Sequence, residues 1–274
     1  MQDVLSLAAF RLHANPVATE PLQAGSTLFC DFDGPIADVS DRYYSTYGSA
    51  LTATQAAYAK RGILLPIRWL TKAQFWHMKQ NRVPDTTIAD WSGLSGQEVQ
   101  TFLAYVEDFV NQPTLLHQDQ LQPGAKAALV GLQDRGVRVV IVTLRQAAQV
   151  LDFLHEYDLA TTISQIYGAQ DGSTAYPNRV QHKVAQLKDA IADQHRLGIN
   201  TAASWMIGDT EADICAGQAA GLSTLALTCG IRSASYLKGF YPTRLYRDLY
   251  AATEFLMAGQ SAVASLQPST FYAS

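Results

Sequence analysis

The sequence predicts an α/β fold: a Rossmann-like parallel sheet flanked by helices, with an α-helical block inserted after its first strand. Three observations predict it. Short apolar, β-branched runs alternate with helical segments from residue 123 onward. One more strand of this kind, "STLFCDF" (26–32), stands far upstream of that alternation. Between the two lies a stretch rich in Ala, Gln, Tyr and Trp, with apolar residues at helical spacing and no strand pattern.

Taken in order, "STLFCDF" follows Gly25 and reads as a buried strand ending on Asp31 and Asp33. Gly34 and Pro35 stop it and turn the chain. The helical insert runs over 43–117. In it, "SGQEVQTFLAYVEDFV" carries a capping-box pattern, with Ser95 serving first-turn amides and Glu98 reaching back. Val99, Phe102, Leu103, Val106 and Val110 share one face of that helix. "QPGAKAALVGLQDRG" is a helix closed by Gly136, and "VRVVIVT" is a buried strand. "RQAAQVLDFLHEYDL" is the next helix, "ISQIYG" a short strand, and "HKVAQLKDAIADQHRLG" a helix ended by Gly198. "ASWMIGD" is a strand, "TEADICAGQAAG" a helix closed by Gly221, and "STLALTCG" a strand. "TRLYRD" and "YAATEFLMAG" supply the last strand and helix. The expected division is a core over 1–42 with an N-terminal extension, the insert over 43–117, and the remaining core over 118–274. The tail "QSAVASLQPSTFYAS" closes the chain.

Composition narrows the function classes. A chain of 274 residues with 48% hydrophobic content holds one large domain or a core with an insert. A net charge of −4 without a long basic run argues against a nucleic-acid partner. No stretch is apolar enough to span a bilayer, and "MQDVLSLAAFRLHANP" reads poorly as a signal peptide. Cys30, Cys215 and Cys229 are scattered and no N-x-[ST] acceptor occurs, which fits a reducing cytoplasm. The expectation is a cytoplasmic monomer or homodimer.

In an open parallel sheet, ligands collect at the carboxyl ends of the strands. The first strand ends at Asp31 and Asp33, "VRVVIVT" at Thr143, and "ASWMIGD" at Asp209 with Asp213 one helical turn on. In extended backbone residues 31 and 33 point to the same side, so their charges repel. Buried carboxylates are rare unless paired or bound to a cation. Clustering several favours a hard metal with oxygen ligands, most simply Mg²⁺.

These residues carry a family resemblance. "DFDGPIAD" resembles the first motif of the haloacid dehalogenase-like (HAD) phosphohydrolases, phosphoglycolate phosphatase-like members included. "VVIVT" resembles the second motif, and "WMIGDTEADICAGQAAGLSTLALTCG" is similar to the fourth. Lys183 is the best match for the third-motif lysine, with Lys188 the alternative. The helical block sits where this family carries a C1 cap. The resemblance implies that Asp31 is a nucleophile forming an aspartyl-phosphate and that Asp33 is a general acid and base. It implies that Thr143 and loop amides hold phosphate oxygens while Lys183 neutralises charge. It assigns Mg²⁺ to the Asp31 carboxylate, the Asp33 carbonyl and Asp209. Asp213 would be a further ligand, directly or through water, or would orient Lys183. Gly34, Leu144 and Arg145 would border the substrate. An acid at position 33 favours phosphoester chemistry over C–Cl or C–P cleavage.

Two departures stand out. "TLR" at 143–145 replaces the Thr/Ser-Asn pattern common in phosphoglycolate phosphatase-like members, and Val184 stands where proline usually follows the lysine. "IRWLTKAQFWHMKQNR" admits two readings. Arg68, Trp69, Lys72, Trp76, His77, Lys79 and Arg82 line a substrate cavity, or the helix packs Leu70, Phe75, Trp76 and Met78 and solvates its charges. His77, His117, His155, His182 and His195 have no metal-ligand spacing, and His182 abuts Lys183. The expected activity is Mg²⁺-dependent hydrolysis of a small phosphorylated metabolite. The rivals are a phosphomutase resembling β-phosphoglucomutase and a HAD fold kept as a binding module.

Overall fold

The computed structural model describes residues 21–169 and 179–258. The N-terminal stretch read against a signal peptide and the C-terminal tail lie outside these described residues. In chain order the strands are β1 (Thr27–Cys30), β2 (Ala37–Asp38), β3 (Gln120–Leu121) and β4 (Arg138–Gln146). Then follow β5 (Gln165–Ala169), β6 (Trp205–Gly208), β7 (Ser223–Leu227) and β8 (Arg244–Tyr246). The helices between β2 and β3 are α1 (Ser40–Ala59), α2 (Lys72–Gln80), α3 (Asp85–Trp91), α4 (Gln97–Phe109) and α5 (Pro113–Leu116). Next come α6 (Ala125–Asp134), α7 (Ala147–Glu156), α8 (Val180–Arg196) and α9 (Glu211–Ala219). The last two are α10 (Ala234–Lys238) and α11 (Leu249–Ala258).

Strand alternation builds two hydrophobic layers. Leu28 and Cys30 of β1, Val139 and Ile141 of β4, and Trp205 and Ile207 of β6 enter one cluster. Residues of α6, α7 and α11, among them Leu129, Leu154 and Leu256, close that layer. The intervening Phe29, Val140, Val142 and Met206 enter the other, closed by Leu187 and Ala190 of α8 and Ala216 of α9. The sheet order is β5-β4-β1-β6-β7-β8, and every pairing is parallel. After β5 the chain crosses to the far side of β1, so strand order reverses between β1 and β6. The crevice above that reversal is where an α/β sheet places a ligand.

Every core strand expected from the sequence is present. Some boundaries differ. The helix read from Arg145 starts at Ala147, because Arg145 and Gln146 extend β4. The first strand ends at Cys30, before the acids. The short helix α10 and the antiparallel pair β2–β3 were not expected; two-residue strands are too short to show a period. The capping box at Ser95 is half formed. Glu98 accepts the Ser95 amide at 2.9 Å, but Gly96, at φ +50°, takes the cap position and no side chain caps the helix.

The helices between β2 and β3 pack on a hydrophobic cluster of their own. The expected boundary at 42/43 lies in the first turn of α1. Tyr47 is the hub of this cluster. Its ring stacks on Phe75 at 5.0 Å and meets Phe102 edge-on at 6.2 Å. Its hydroxyl accepts the Leu70 amide at 3.0 Å. Ser92 donates to the Ile88 carbonyl, so the Tyr47 hydroxyl donates to Ser92 Oγ at 2.8 Å. Tyr43 and Trp76 pack against this cluster and also against the first sheet layer. Tyr47→Phe leaves the Leu70 amide buried without its acceptor. The expected cost is about 1–3 kcal/mol, read as a lower urea midpoint; an unchanged midpoint would refute the hub role.

Candidate active site

The end of β1 is fixed before any charge is considered. The Asp31 amide donates to the Ile207 carbonyl of β6 at 2.8 Å, and the Phe32 amide donates to Asp31 Oδ1 at 2.7 Å. The chain then doubles back, with the Gly34 amide on the Ala37 carbonyl at 2.8 Å. Gly34 has φ +95°, and a Cβ there would lie 2.2 Å from Asp209 Cγ. On the other side, a Cβ at Gly230 would lie 1.9 Å from Asp209 Oδ2. Asp209 is thus seated between two backbones that only glycine lets so close.

Asp209 follows β6, and its Oδ2 accepts the Ile231 amide at 2.6 Å. Its Oδ1 is buried and has no hydrogen-bond partner. Asp213 closes the first turn of α9: its Oδ2 accepts the Thr210 amide at 3.0 Å and the Thr210 hydroxyl at 2.7 Å. Its Oδ1 lies 2.9 Å from Lys183 Nζ. Lys183 rises from the first turn of α8, fully buried, and also reaches Asp31 Oδ1 at 2.7 Å. Lys188 lies exposed on the same helix. Carboxylate oxygens of Asp31, Asp209 and Asp213 lie within 4.8 Å of one another.

Three buried carboxylates therefore face one buried ammonium. Burial, together with the charge of Asp213, pushes the Asp31 carboxyl up against the pull of Lys183. Burial, Asp213 and Asp31 push Asp209 well above the usual carboxylate range. Against burial, Asp213 and Asp31 hold Lys183 above its ordinary value. The excess negative charge, the oxygen-only donors and the orphaned Asp209 Oδ1 fit a hard divalent cation.

Asp33 belongs to a second cluster. Its Oδ2 lies 3.0 Å from Arg42 Nη2 and its Oδ1 2.9 Å from Arg145 Nη2. Arg42 Nε also donates to Asp119 Oδ1 at 2.9 Å, and Arg145 Nη2 donates to Asp119 Oδ2. Arg145, read as a substrate contact, is thus turned onto two acids. Leu144 is buried at the cavity wall, and the Thr143 hydroxyl accepts the Arg145 amide at 3.2 Å.

The cavity over these groups is roofed by the insert. Of the polar and aromatic residues in "IRWLTKAQFWHMKQNR", Lys79 and Arg82 line it. Arg68, Trp69 and His77 are exposed, Lys72 pairs with Asp41 at 2.7 Å, and Trp76 packs edge-on to Tyr43. Each reading of that segment holds for part of it. Arg232 joins roof to floor: Nε donates to Glu211 Oε2 at 2.9 Å and Nη1 to the Lys79 carbonyl at 3.1 Å. Arg82 meets Glu211 Oε1 at 3.0 Å, and the Ser233 amide donates to the Gln80 carbonyl at 2.8 Å. His155, His182 and His195 are exposed. Arg42, Asp119, Glu211 and Arg232 escaped the sequence reading. Arg42, Asp119 and Arg232 lie outside the four motifs, and Glu211 sits inside the fourth at a position between its two aspartates that the motif leaves open.

The family described as haloacid dehalogenase-like hydrolase matches residues 28–218. The chain belongs to this family. Among HAD relatives, Pyrophosphatase PpaX of Oceanobacillus iheyensis is 27% identical over 127 residues, which cover 46% of this chain and 56% of the relative. Phosphoglycolate phosphatase of Psychrobacter arcticus is 28% identical over 138 residues, covering 49% and 55%. The chain spans about half the length of the curated relatives it matches. The HAD fold is shared with a haloacid dehalogenase-like hydrolase from Streptococcus pneumoniae, at TM-score 0.57, 18% identity, and coverage of 84% and 97%. A predicted phosphoglycolate phosphatase from Haemophilus somnus superposes at TM-score 0.60, with 18% identity and coverage of 85% and 98%.

Removing Lys183 leaves buried carboxylates uncompensated. Lys183→Met is expected to lose about 3–5 kcal/mol of stability in urea unfolding. The exposed Lys188→Met is expected to stay within about 0.5 kcal/mol of wild type. Equal effects of the two would refute the placement of Lys183.

Proposed function

We propose that the protein is a Mg²⁺-dependent phosphatase that hydrolyses a small phosphorylated metabolite through an aspartyl-phosphate on Asp31. The observation that carries this reading is the contact of Lys183 with both Asp31 and Asp213, beside a buried carboxylate oxygen of Asp209 that has no partner. Phe32 N and Lys183 both engage Asp31 Oδ1, which leaves Oδ2 as the attacking oxygen. That oxygen bonds to phosphorus as the ester P–O bond breaks, and Asp33 gives a proton to the departing alcohol. Asp33 then takes a proton from water as the water oxygen attacks phosphorus. The bond from phosphorus to Asp31 breaks, and orthophosphate leaves.

Lys183 offsets charge on the phosphoryl oxygens and on Asp31. Thr143 lines the same cavity and would hold a phosphoryl oxygen there, whereas the Gly34, Ile36 and Ala37 amides are spent within the turn. The carboxylates of Asp31 and Asp209 and the Asp33 carbonyl would hold Mg²⁺, with Asp213 orienting Lys183 behind them. Bound there, the cation supplies Lewis-acid stabilisation of the phosphoryl charge. The insert at 43–117 acts as the cap: Lys79 and Arg82 line the cavity, and its contacts through Arg232 and Ser233 keep water out during attack. We place the activity in the cytoplasm. No described helix is long and apolar enough to cross a membrane. The names of the curated relatives make phosphoglycolate and pyrophosphate the first substrates to test.

A metabolite phosphatase panel on purified protein tests the reading, scoring free phosphate against isomer conversion to separate hydrolysis from mutase chemistry. Asp31→Asn is expected to abolish turnover, and Asp33→Asn to slow it by about 10²-fold or more. Wild-type rates from Asp31→Asn would overturn the nucleophile. EDTA is expected to stop turnover and Mg²⁺ to restore it. At about 100 times its Kd, Mg²⁺ is expected to raise Tm by roughly 5–10 °C, and Asp209→Asn to lose that shift. Full activity in chelator, or the same shift in the variant, would remove the metal from the mechanism.

A further inference from the structure

Asp33 is held in a way that the family motifs do not explain. Its side chain is 28% exposed toward the cavity, whereas Arg42, Arg145 and Asp119 behind it are 1%, 3% and 0% exposed. The four residues come from four places in the chain. Asp33 sits on the turn after β1, and Arg42 in the first turn of α1, where the chain enters the insert. Asp119 lies next to β3, where the chain leaves it, and Arg145 is near the end of β4. No two of them share an element.

The Arg42 guanidinium has no freedom left, and Arg145 is held through one nitrogen and its stacked plane. Arg42 uses all three nitrogens: Nε on Asp119, Nη1 on the Val110 carbonyl at 2.9 Å and on Asn111 Oδ1 at 3.2 Å, and Nη2 on Asp33. Arg145 Nη2 touches Asp33 and Asp119 together, and its guanidinium lies 5.0 Å from the Phe32 ring centroid. Asp119 accepts one guanidinium on each oxygen. Burying such a quartet contributes little stability that a hydrophobic cluster would not supply. It does supply a carboxyl group with one guanidinium nitrogen against each oxygen, a hydrogen bond from Arg42 on Oδ2 and the Arg145 charge on Oδ1.

We infer that Arg42, Asp119 and Arg145 are positioning residues that aim the Asp33 carboxyl group at the leaving oxygen, with Asp119 as the bridge that fixes both guanidiniums. This rests on the phosphatase reading above and adds to it the means by which the acid is aimed. Proton transfer requires the donor within hydrogen-bond reach of the oxygen that leaves, and a shell that locks its rotamer provides this. Because Arg42 and Asp119 bracket the insert, its seating is tied to the aim of Asp33.

The test uses two substrates of one shape on the full chain with Mg²⁺. 4-Nitrophenolate leaves without a proton, whereas the more basic phenolate of phenyl phosphate needs one. Asp119→Asn is expected to lower kcat/KM on phenyl phosphate by about tenfold more than on 4-nitrophenyl phosphate. Arg145→Lys and Arg42→Lys, which keep charge and lose the fork, are expected to shift in the same direction, and they carry the test if Asp119→Asn does not fold. Added to Asp33→Asn, Asp119→Asn is expected to bring no further loss on 4-nitrophenyl phosphate. Equal losses on the two substrates, no loss on either, or an additive loss beside Asp33→Asn would each overturn the inference. Asp31→Asn is run alongside. If it turns over at the wild-type rate, the phosphatase reading itself fails; if it is inactive, a variant blind to the leaving group counts against the positioning role alone.

Discussion

The structure turns on a single buried ammonium. Lys183 sits where the ends of β1 and β6 and the start of α9 converge, and it holds Asp31 and Asp213 at contact distance. Without it, three carboxylates would share one desolvated corner of the protein. The sheet supplies that corner because strand order reverses between β1 and β6. The hydrophobic layers on either side of the sheet hold the strand ends in register. Chemistry at the rim is therefore a consequence of packing beneath it.

Two ionic clusters flank that corner, and they differ in kind. The Lys183 cluster carries an excess of negative charge, which suits a site that receives cations. The Asp33 cluster sets two acids against two guanidiniums, which suits a site that holds one group still. Glu211, Arg82 and Arg232 form a third bridge, from α9 to the segment after α2, and they set the height of the roof. Burial cost explains why the ion pairs in these clusters join residues of different elements.

Much of this was legible in the sequence. Asp31 and Asp209 directly follow β1 and β6, and strand ends announce themselves through short apolar runs, whereas Thr143, expected at a strand end, lies inside β4 because Leu144, Arg145 and Gln146 extend it. Lys183 was legible through order along the chain, although its neighbours departed from the familiar pattern. What stayed hidden was pairwise contact between distant segments. Nothing near Asp119 in the chain marks it as the partner of Arg42, and nothing near Arg232 points to Glu211. The role of Ser95 was misread for a local reason, since Gly96 at positive φ takes the helix cap. The charge of Arg145 is legible as a cation bordering the site, but not the two acids it faces.

The antiparallel pair of β2 and β3 joins Ala37 to Leu121 and Asp38 to Gln120. Both ends of the helical insert thus leave the sheet side by side. The sheet has no stake in how long the detour is, and closing a longer loop costs only logarithmically more. A staple this short makes the detour an exchangeable module: it can be lengthened, trimmed or replaced while the strands beneath the acids keep their pairing.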